Sequence, residues 1–290
     1  KKSEDIAKVS PDNKEFMAPL GAQTYVNANN FSIDTENLKS EDRSERIAYV
    51  IDQAVSNDVT SAGYMEDGVT FYAVQNTNGL FEYNKASMAR LSSTVRTNDG
   101  TGSGRFERNY VDINKIKGKE LADWAIKRSK LSVNPVEIKP GRYTVILEQA
   151  AAADMLSRCI NFMGSRWADE GRSFFSKKGG GTIIGEKIAD EKLNIYSDPT
   201  DLSAPASPFS EGGEPMNKLV WFENGVLKNL HRNRFWADKT SQPSVPYPSN
   251  VIMQGGNKSV DELIESSDEA VLVTRFWYIR TVDPRTMLFT

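Results

Sequence analysis

The chain has 290 residues, 39% of them hydrophobic, and a net charge of −3 from 36 basic and 39 acidic side chains. That is enough for one large or two smaller domains, and it argues against a broad basic field for gripping a polyanion. A single cysteine, Cys159, rules out an intrachain disulfide, and no apolar run reaches the roughly 20 residues of a membrane helix.

Residues 1–41 read as polar and irregular, with Pro11, Pro19 and the Asn27 to Asn30 stretch as loop. The opening Lys1-Lys2-Ser3-Glu4-Asp5 lacks the apolar stretch of a signal peptide. Ser40 can cap a helix carrying Ile47, Val50, Ile51 and Val55 at helical spacing. Three short strands are predicted next, Val59 to Met65, Val69 to Gln75 and Gly79 to Tyr83, with turns at Asp67-Gly68 and Asn76 to Gly79. A fourth strand fits Ser87 to Arg96, and 99–104 is a glycine-rich loop. A second helix fits Asn114 to Lys130. Lys115, Lys117 and Lys119 lie beside Asp112 and Glu120, a solvated surface and not a nucleic-acid patch. This order predicts an α+β domain, an antiparallel sheet covered by helices on one face.

Two prolines and a glycine between Asn134 and Gly141 mark the expected boundary, dividing the chain into 1–135 and 136–290. An apolar strand from Tyr143 to Leu147 leads into a helix from Gln149 to Met163, ended by Gly164 near a Schellman position. Met155, Cys159 and Met163 form one stripe of that helix. The remainder is β-rich, with strands expected at Lys192 to Tyr196, Lys218 to Glu223, Val226 to Asn233 and Val271 to Thr281, and a short helix over 261–265. Asn224-Gly225 is a strong hairpin signal. The apolar end Met287 to Thr290 carries no cap and reads as cut from a longer chain.

Several phrases of the second half resemble the TldD/PmbA family. They are Pro140 to Glu148, Gly171-Arg172-Ser173-Phe174-Phe175, Gly185 to Ala189, Asp198-Pro199-Thr200, Glu223 to Asn229, Gly255-Gly256, Glu262-Leu263-Ile264 and Val273-Thr274-Arg275. Their order and spacing carry the resemblance, which is looser before residue 135. It implies a first domain of sheet and helices, then a barrel-like β-rich domain with one prominent helix. It also implies a cytoplasmic, peptidase-related protein whose relatives pair a TldD-type with a PmbA-type subunit. An older family label is modulator of DNA gyrase.

TldD-type members carry HExxxH on the helix after the entering strand. Aligned from Tyr143, that motif falls on Ser157 to Phe162. Both histidine positions are lost, to Ser157 and Phe162, and the general-base position is Arg158. PmbA-type members also lack the motif, so no zinc is expected in this chain, only in a TldD-type partner.

Other candidates are weighed against plainer readings. Cys159 with His231 could form a thiol dyad, but Cys159 on an apolar stripe is expected to be a small buried hydrophobe. Gly179-Gly180-Gly181 lacks the Gly-Lys-Ser/Thr ending of a phosphate loop, and Glu211 with Glu214 reads as a solvated loop. Phe276-Trp277-Tyr278 is expected in a buried strand, the competing reading placing Arg275 and Trp277 on a peptide- or partner-contacting wall. The leading expectation is a PmbA-like, non-metal subunit of a metallopeptidase system acting on unfolded or modified peptides, with peptide added as a strand at a sheet edge. Its rivals are a self-sufficient peptidase with non-family catalytic residues and a homodimeric peptide-binding protein without catalysis.

Overall fold

The computed structural model describes residues 1–290. The N-terminal stretch, expected to be irregular, carries helix α1 (Lys2–Val9) and a single turn, α2 (Ile33–Glu36). Helix α3 (Ser40–Ser56) starts one residue beyond the observed cap, Lys39, whose backbone N–H donates to the Asp42 carboxylate at 3.0 Å.

The four expected strands are two. Strands β1 (Val59–Gln75) and β2 (Phe81–Thr97) pair antiparallel without a register break. Asp67-Gly68 does not turn, because Gly68 sits opposite Met88 in the ladder and Asp67 is held by Arg43 at 2.6 Å. The real turn is at 76–80, where the Asn76 side-chain oxygen accepts from the backbone of Asn78 at 2.9 Å and of Leu80 at 3.3 Å. Strand β3 (Ser103–Tyr110) completes a sheet in the order β1-β2-β3.

A 3-10 turn at Ile113–Lys115 precedes helix α4 (Gly118–Leu131), where one longer helix was expected. Helices α3 and α4 cover one face of the sheet, and Val50, Ala54, Leu91, Val95, Phe106, Ala122 and Ile126 form a buried core between them. Gly104 permits the fit, since a Cβ there would lie 2.1 Å from the Ala125 carbonyl.

Residues 132–144 carry no helix or strand and are exposed. Beyond them come strand β4 (Val145–Leu147), helix α5 (Gln149–Asn161) and helix α6 (Ser165–Asp169). Gly164 makes no Schellman turn; at φ −82° and ψ 121° it is extended and begins α6. Strands β5 (Ile195–Ser197), β6 (Leu219–Glu223) and β7 (Val226–Leu227) follow, then α7 (Arg234–Thr240), β8 (Ile252–Met253), α8 (Val260–Glu265), β9 (Val271–Val273), β10 (Thr281–Asp283) and β11 (Leu288–Phe289).

The expected hairpin is present, with Asn224 at φ 50° and Gly225 at φ 75°. Strand β7 is shorter than expected; the Lys228 N–H still donates in register to the Trp221 carbonyl at 2.8 Å, and the Asn229 side-chain amide then donates to the Val220 carbonyl at 2.8 Å. Strands β5 to β8 form an open sheet ordered β7-β6-β5-β8, and β4 pairs with β9 in parallel. The fold is α+β as expected, but no sheet closes into a barrel. The strands of this half run two to five residues, and loops joined by isolated bridges such as Arg232 with Val245 interrupt the ladders. A second core of Ile160, Met163, Phe175, Trp221, Phe222, Leu227 and Leu230 fills this half. No helix is long and apolar enough to cross a membrane.

Candidate functional site

Helix α5 is anchored where the two cores meet. Its cap residue, Glu148, is buried, and its backbone N–H donates to the Val273 carbonyl of β9 at 3.0 Å. The Glu148 carboxylate meets the Arg128 guanidinium of α4 at 2.5 Å. Burial raises the Glu148 pKa, and the Arg128 charge opposes that rise. On the next residue, the Gln149 side-chain oxygen accepts from Arg108 of β3 at 3.3 Å. A buried ion pair holding this helix is a feature that sequence pattern did not show, because its partners lie 20 residues apart on separate elements.

The three positions set against HExxxH have different surroundings. Ser157 is exposed and Arg158 half-buried. Phe162 is a member of the second core, its ring 6.3 Å from that of Trp167 and 6.2 Å from that of Phe289. Its carbonyl accepts from the buried Ser173 hydroxyl at 2.9 Å, which in turn accepts from the Phe175 backbone at 3.2 Å. The Gly171 to Phe175 phrase thus clasps the end of α5.

Cys159 is a free thiol packed against the second core, and burial pushes its pKa up to about 11. That is opposite to the depressed pKa of a reactive thiolate. His231, expected on an unrelated element, lies at the same helix end. Its backbone N–H donates to the Met163 carbonyl at 2.8 Å, and its carbonyl accepts from Ser165 at 2.8 Å. Its ring meets Tyr247 edge-on, centroids 5.4 Å apart, and the Tyr247 hydroxyl donates to the Asn161 side-chain oxygen at 2.8 Å. Burial lowers the His231 pKa. No group of three or more His, Cys, Asp or Glu side chains is arranged to hold a metal ion.

The strand expected through Tyr278 ends at Val273, so the buried reading of its aromatics is corrected. Trp277 is 80% exposed and Tyr278, at φ 56°, is 69% exposed. The left-handed Tyr278 backbone cannot extend a ladder. The Arg275 guanidinium stacks over the Trp277 ring at 5.1 Å. This loop leaves β9 directly after Val273, whose carbonyl accepts from the Glu148 N–H at the start of α5.

The architecture is α+β, with a sheet-and-helix unit coupled by a buried ion pair to a β-rich unit. The family described as PmbA/TldA metallopeptidase C-terminal domain matches residues 140–290, and the chain belongs to the TldD/PmbA family. A metalloprotease TldD homolog of Buchnera aphidicola is 24% identical over 195 residues, covering 60% of this chain and 39% of that protein. A metalloprotease of Methanothermobacter thermautotrophicus is 28% identical over 180 residues, covering 57% of this chain and 37% of that protein. The matched stretch therefore spans under two fifths of either relative.

Solved structures share the fold. TldE from Thermococcus kodakarensis superposes with a TM-score of 0.82 at 18% identity, covering 93% of this chain and 65% of that one. A candidate modulator of DNA gyrase from Bacteroides thetaiotaomicron gives 0.82 at 20% identity, covering 97% and 66%. A similarly described Thermotoga maritima protein gives 0.79 at 20% identity, covering 92% and 63%.

Proposed function

We propose that this chain is a PmbA-like, non-metal subunit that shapes a peptide-binding space beside a metal-bearing TldD-type partner. The observation that carries the reading is the residue set on α5. Arginine stays protonated, so Arg158 can neither take up a proton nor bind a cation. Ser157 and Phe162 bring no imidazole, and the Phe162 ring belongs to the core. A catalytic zinc takes about three protein ligands, mostly His, Asp, Glu or Cys. These residues do not fit zinc, and no step through a metal is assigned to them.

In this reading the partner supplies metal and general base, as its TldD-type relatives' description as metalloproteases suggests. The chain divides at 135/136, with 136–290 as the core domain, and Arg275 with Trp277 contacts peptide or partner. A thiol mechanism is disfavoured, because the raised Cys159 pKa leaves little thiolate at neutral pH.

The test is zinc content of the purified full-length protein together with cleavage of an unfolded peptide, with and without a TldD-type partner. No stoichiometric zinc alone, with chelator-sensitive cleavage only when the partner is added, is expected. Stoichiometric zinc or cleavage by this chain alone overturns the reading.

A further inference from the structure

The chain holds two Asn-Gly pairs, Asn78-Gly79 and Asn224-Gly225. Both lie in hairpin turns, and both glycines have positive φ, 86° and 75°. Each pair carries the same intrinsic chemistry. The glycine nitrogen can close a succinimide ring on the asparagine side-chain carbon, and glycine, without a Cβ, obstructs that approach least. What differs is the surroundings.

At 224–225 the reacting nitrogen is occupied and enclosed. Gly225 is buried, its N–H donates to the Leu193 carbonyl at 3.0 Å, and its carbonyl accepts from the N–H of Ile188 at 3.0 Å and of Ala189 at 3.2 Å. A Cβ there would lie 2.2 Å from the Ala189 carbonyl oxygen, so the main chain has little room to turn. At 78–79 the nitrogen is open. Asn78 and Gly79 are exposed, a Gly79 Cβ would meet nothing within 4 Å, and the Gly79 N–H has no hydrogen-bond acceptor. Asn76, in the same turn, is held instead. Its side-chain oxygen accepts from two backbone N–H groups, its amide donates to the Leu20 carbonyl at 2.8 Å, and it precedes a β-branched threonine that crowds the same ring closure.

We propose that Asn78 is a deamidation site, and that its reaction loosens the turn at the hairpin tip and its hold on the N-terminal segment. The Gly79 nitrogen gives up its proton and bonds to the Asn78 side-chain carbon. The Cγ–Nδ2 bond breaks, and Nδ2 leaves as ammonia with that proton. Water then opens the succinimide at either ring C–N bond, its hydroxyl going to carbon and its hydrogen to nitrogen, and leaves aspartate or isoaspartate at 78. In the unreacted chain the Asn78 amide donates to the Pro19 carbonyl at 3.0 Å. Either product removes that donor and sets a carboxylate against a carbonyl. Isoaspartate also lengthens the turn main chain by a methylene, across which the Asn76 N–H now donates to the Leu80 carbonyl at 3.1 Å. None of this depends on a partner subunit.

The test holds the full chain in warm, mildly alkaline buffer and follows the amide-to-acid mass change by peptide mass spectrometry, with synthetic peptides of 72–84 and 218–230 as unstructured references. Asn78 in the folded chain is expected to react within about tenfold of the rate in its peptide, and Asn224 more than about tenfold slower than in its own, because an enclosed group reacts only through local opening. Asn78→Gln keeps an amide donor and is expected to abolish the change within 72–84, which separates Asn78 from Asn76 and Asn84. In the converted protein the Asn76 amide is expected to exchange about tenfold faster or more. Asn78 lagging its peptide by more than that factor, Asn224 keeping pace with its peptide, or a mass change that persists in Asn78→Gln overturns the site. An unchanged Asn76 amide in converted protein overturns the loosening.

Discussion

At the residue scale, Cys159 and His231 show burial deciding chemistry. With its pKa pushed up to about 11, the Cys159 thiol is almost wholly protonated at pH 7.5. A maleimide is expected to label it slowly in the native protein and at least tenfold faster in 6 M guanidinium, about the change expected on exposing a shielded thiol. Equal rates in the two solvents would show that the thiol is already accessible. For His231, burial holds the folded pKa below the ordinary value of 6.5. The unfolded chain then binds more protons than the folded one, so stability is full above about pH 6.5 and falls as pH drops below it. Other groups titrate there too, so the comparison is with His231→Gln. The stability difference, wild type minus variant, is expected to shrink between pH 7.5 and pH 5 in urea titrations, and a constant difference would remove the histidine as its cause. The proximity of His231 to α5 was not legible in the sequence. It comes from a bridge between Gly164 and His231, residues 67 apart, each outside any regular strand.

At the element scale, local chemistry was legible where one residue type had one structural use. Asn224-Gly225 gave a hairpin because both backbones take positive φ, and the short helix expected over 261–265 is α8. The Asp67-Gly68 turn failed because cross-strand pairing and the Arg43 contact outweighed a weak local preference. The buried Arg128–Glu148 pair could not be foreseen, since a lone acid after a strand looks like any N-terminal helix residue. It makes a sharp prediction. Glu148→Leu leaves the Arg128 guanidinium uncompensated in a buried place and is expected to cost about 3 kcal/mol in urea unfolding. Arg128→Met in the same chain should return most of that loss. A double variant no more stable than the single one would mean that the carboxylate acts through the α5 cap and not through its partner. Gly225→Ala is expected to cost about 2 kcal/mol or more, because the backbone sits at φ 75° and a Cβ would lie 2.2 Å from the Ala189 carbonyl.

At the scale of the whole molecule, the long β1–β2 hairpin makes a second connection between the halves beside the Arg128–Glu148 pair, and it was hidden from sequence reading by the false turn at 67–68. The base of the hairpin lies in the first core, where Leu91 and Val95 are buried. Its tip reaches loops of the second half. The Tyr72 ring stacks on the buried Phe209 ring at 5.5 Å, Phe209 meets Tyr25 edge-on at 5.6 Å, and the Tyr25 hydroxyl donates to the Gly213 carbonyl at 2.8 Å. A two-stranded ribbon alone is marginal in water, so the tip depends on these contacts while the base, paired also with β3 and covered by α3 and α4, does not. Phe209→Ala removes the aromatic that both tyrosines pack against, at an expected cost of about 3 kcal/mol. Hydrogen exchange locates the effect. Amides of 69–83 should exchange at least tenfold faster in the variant, while those of 89–97 keep their wild-type rates, because local opening follows local contacts and not the global stability. If both stretches accelerate together, the hairpin opens as one body with the sheet, and the tip contacts stabilise the whole chain and not the ribbon alone.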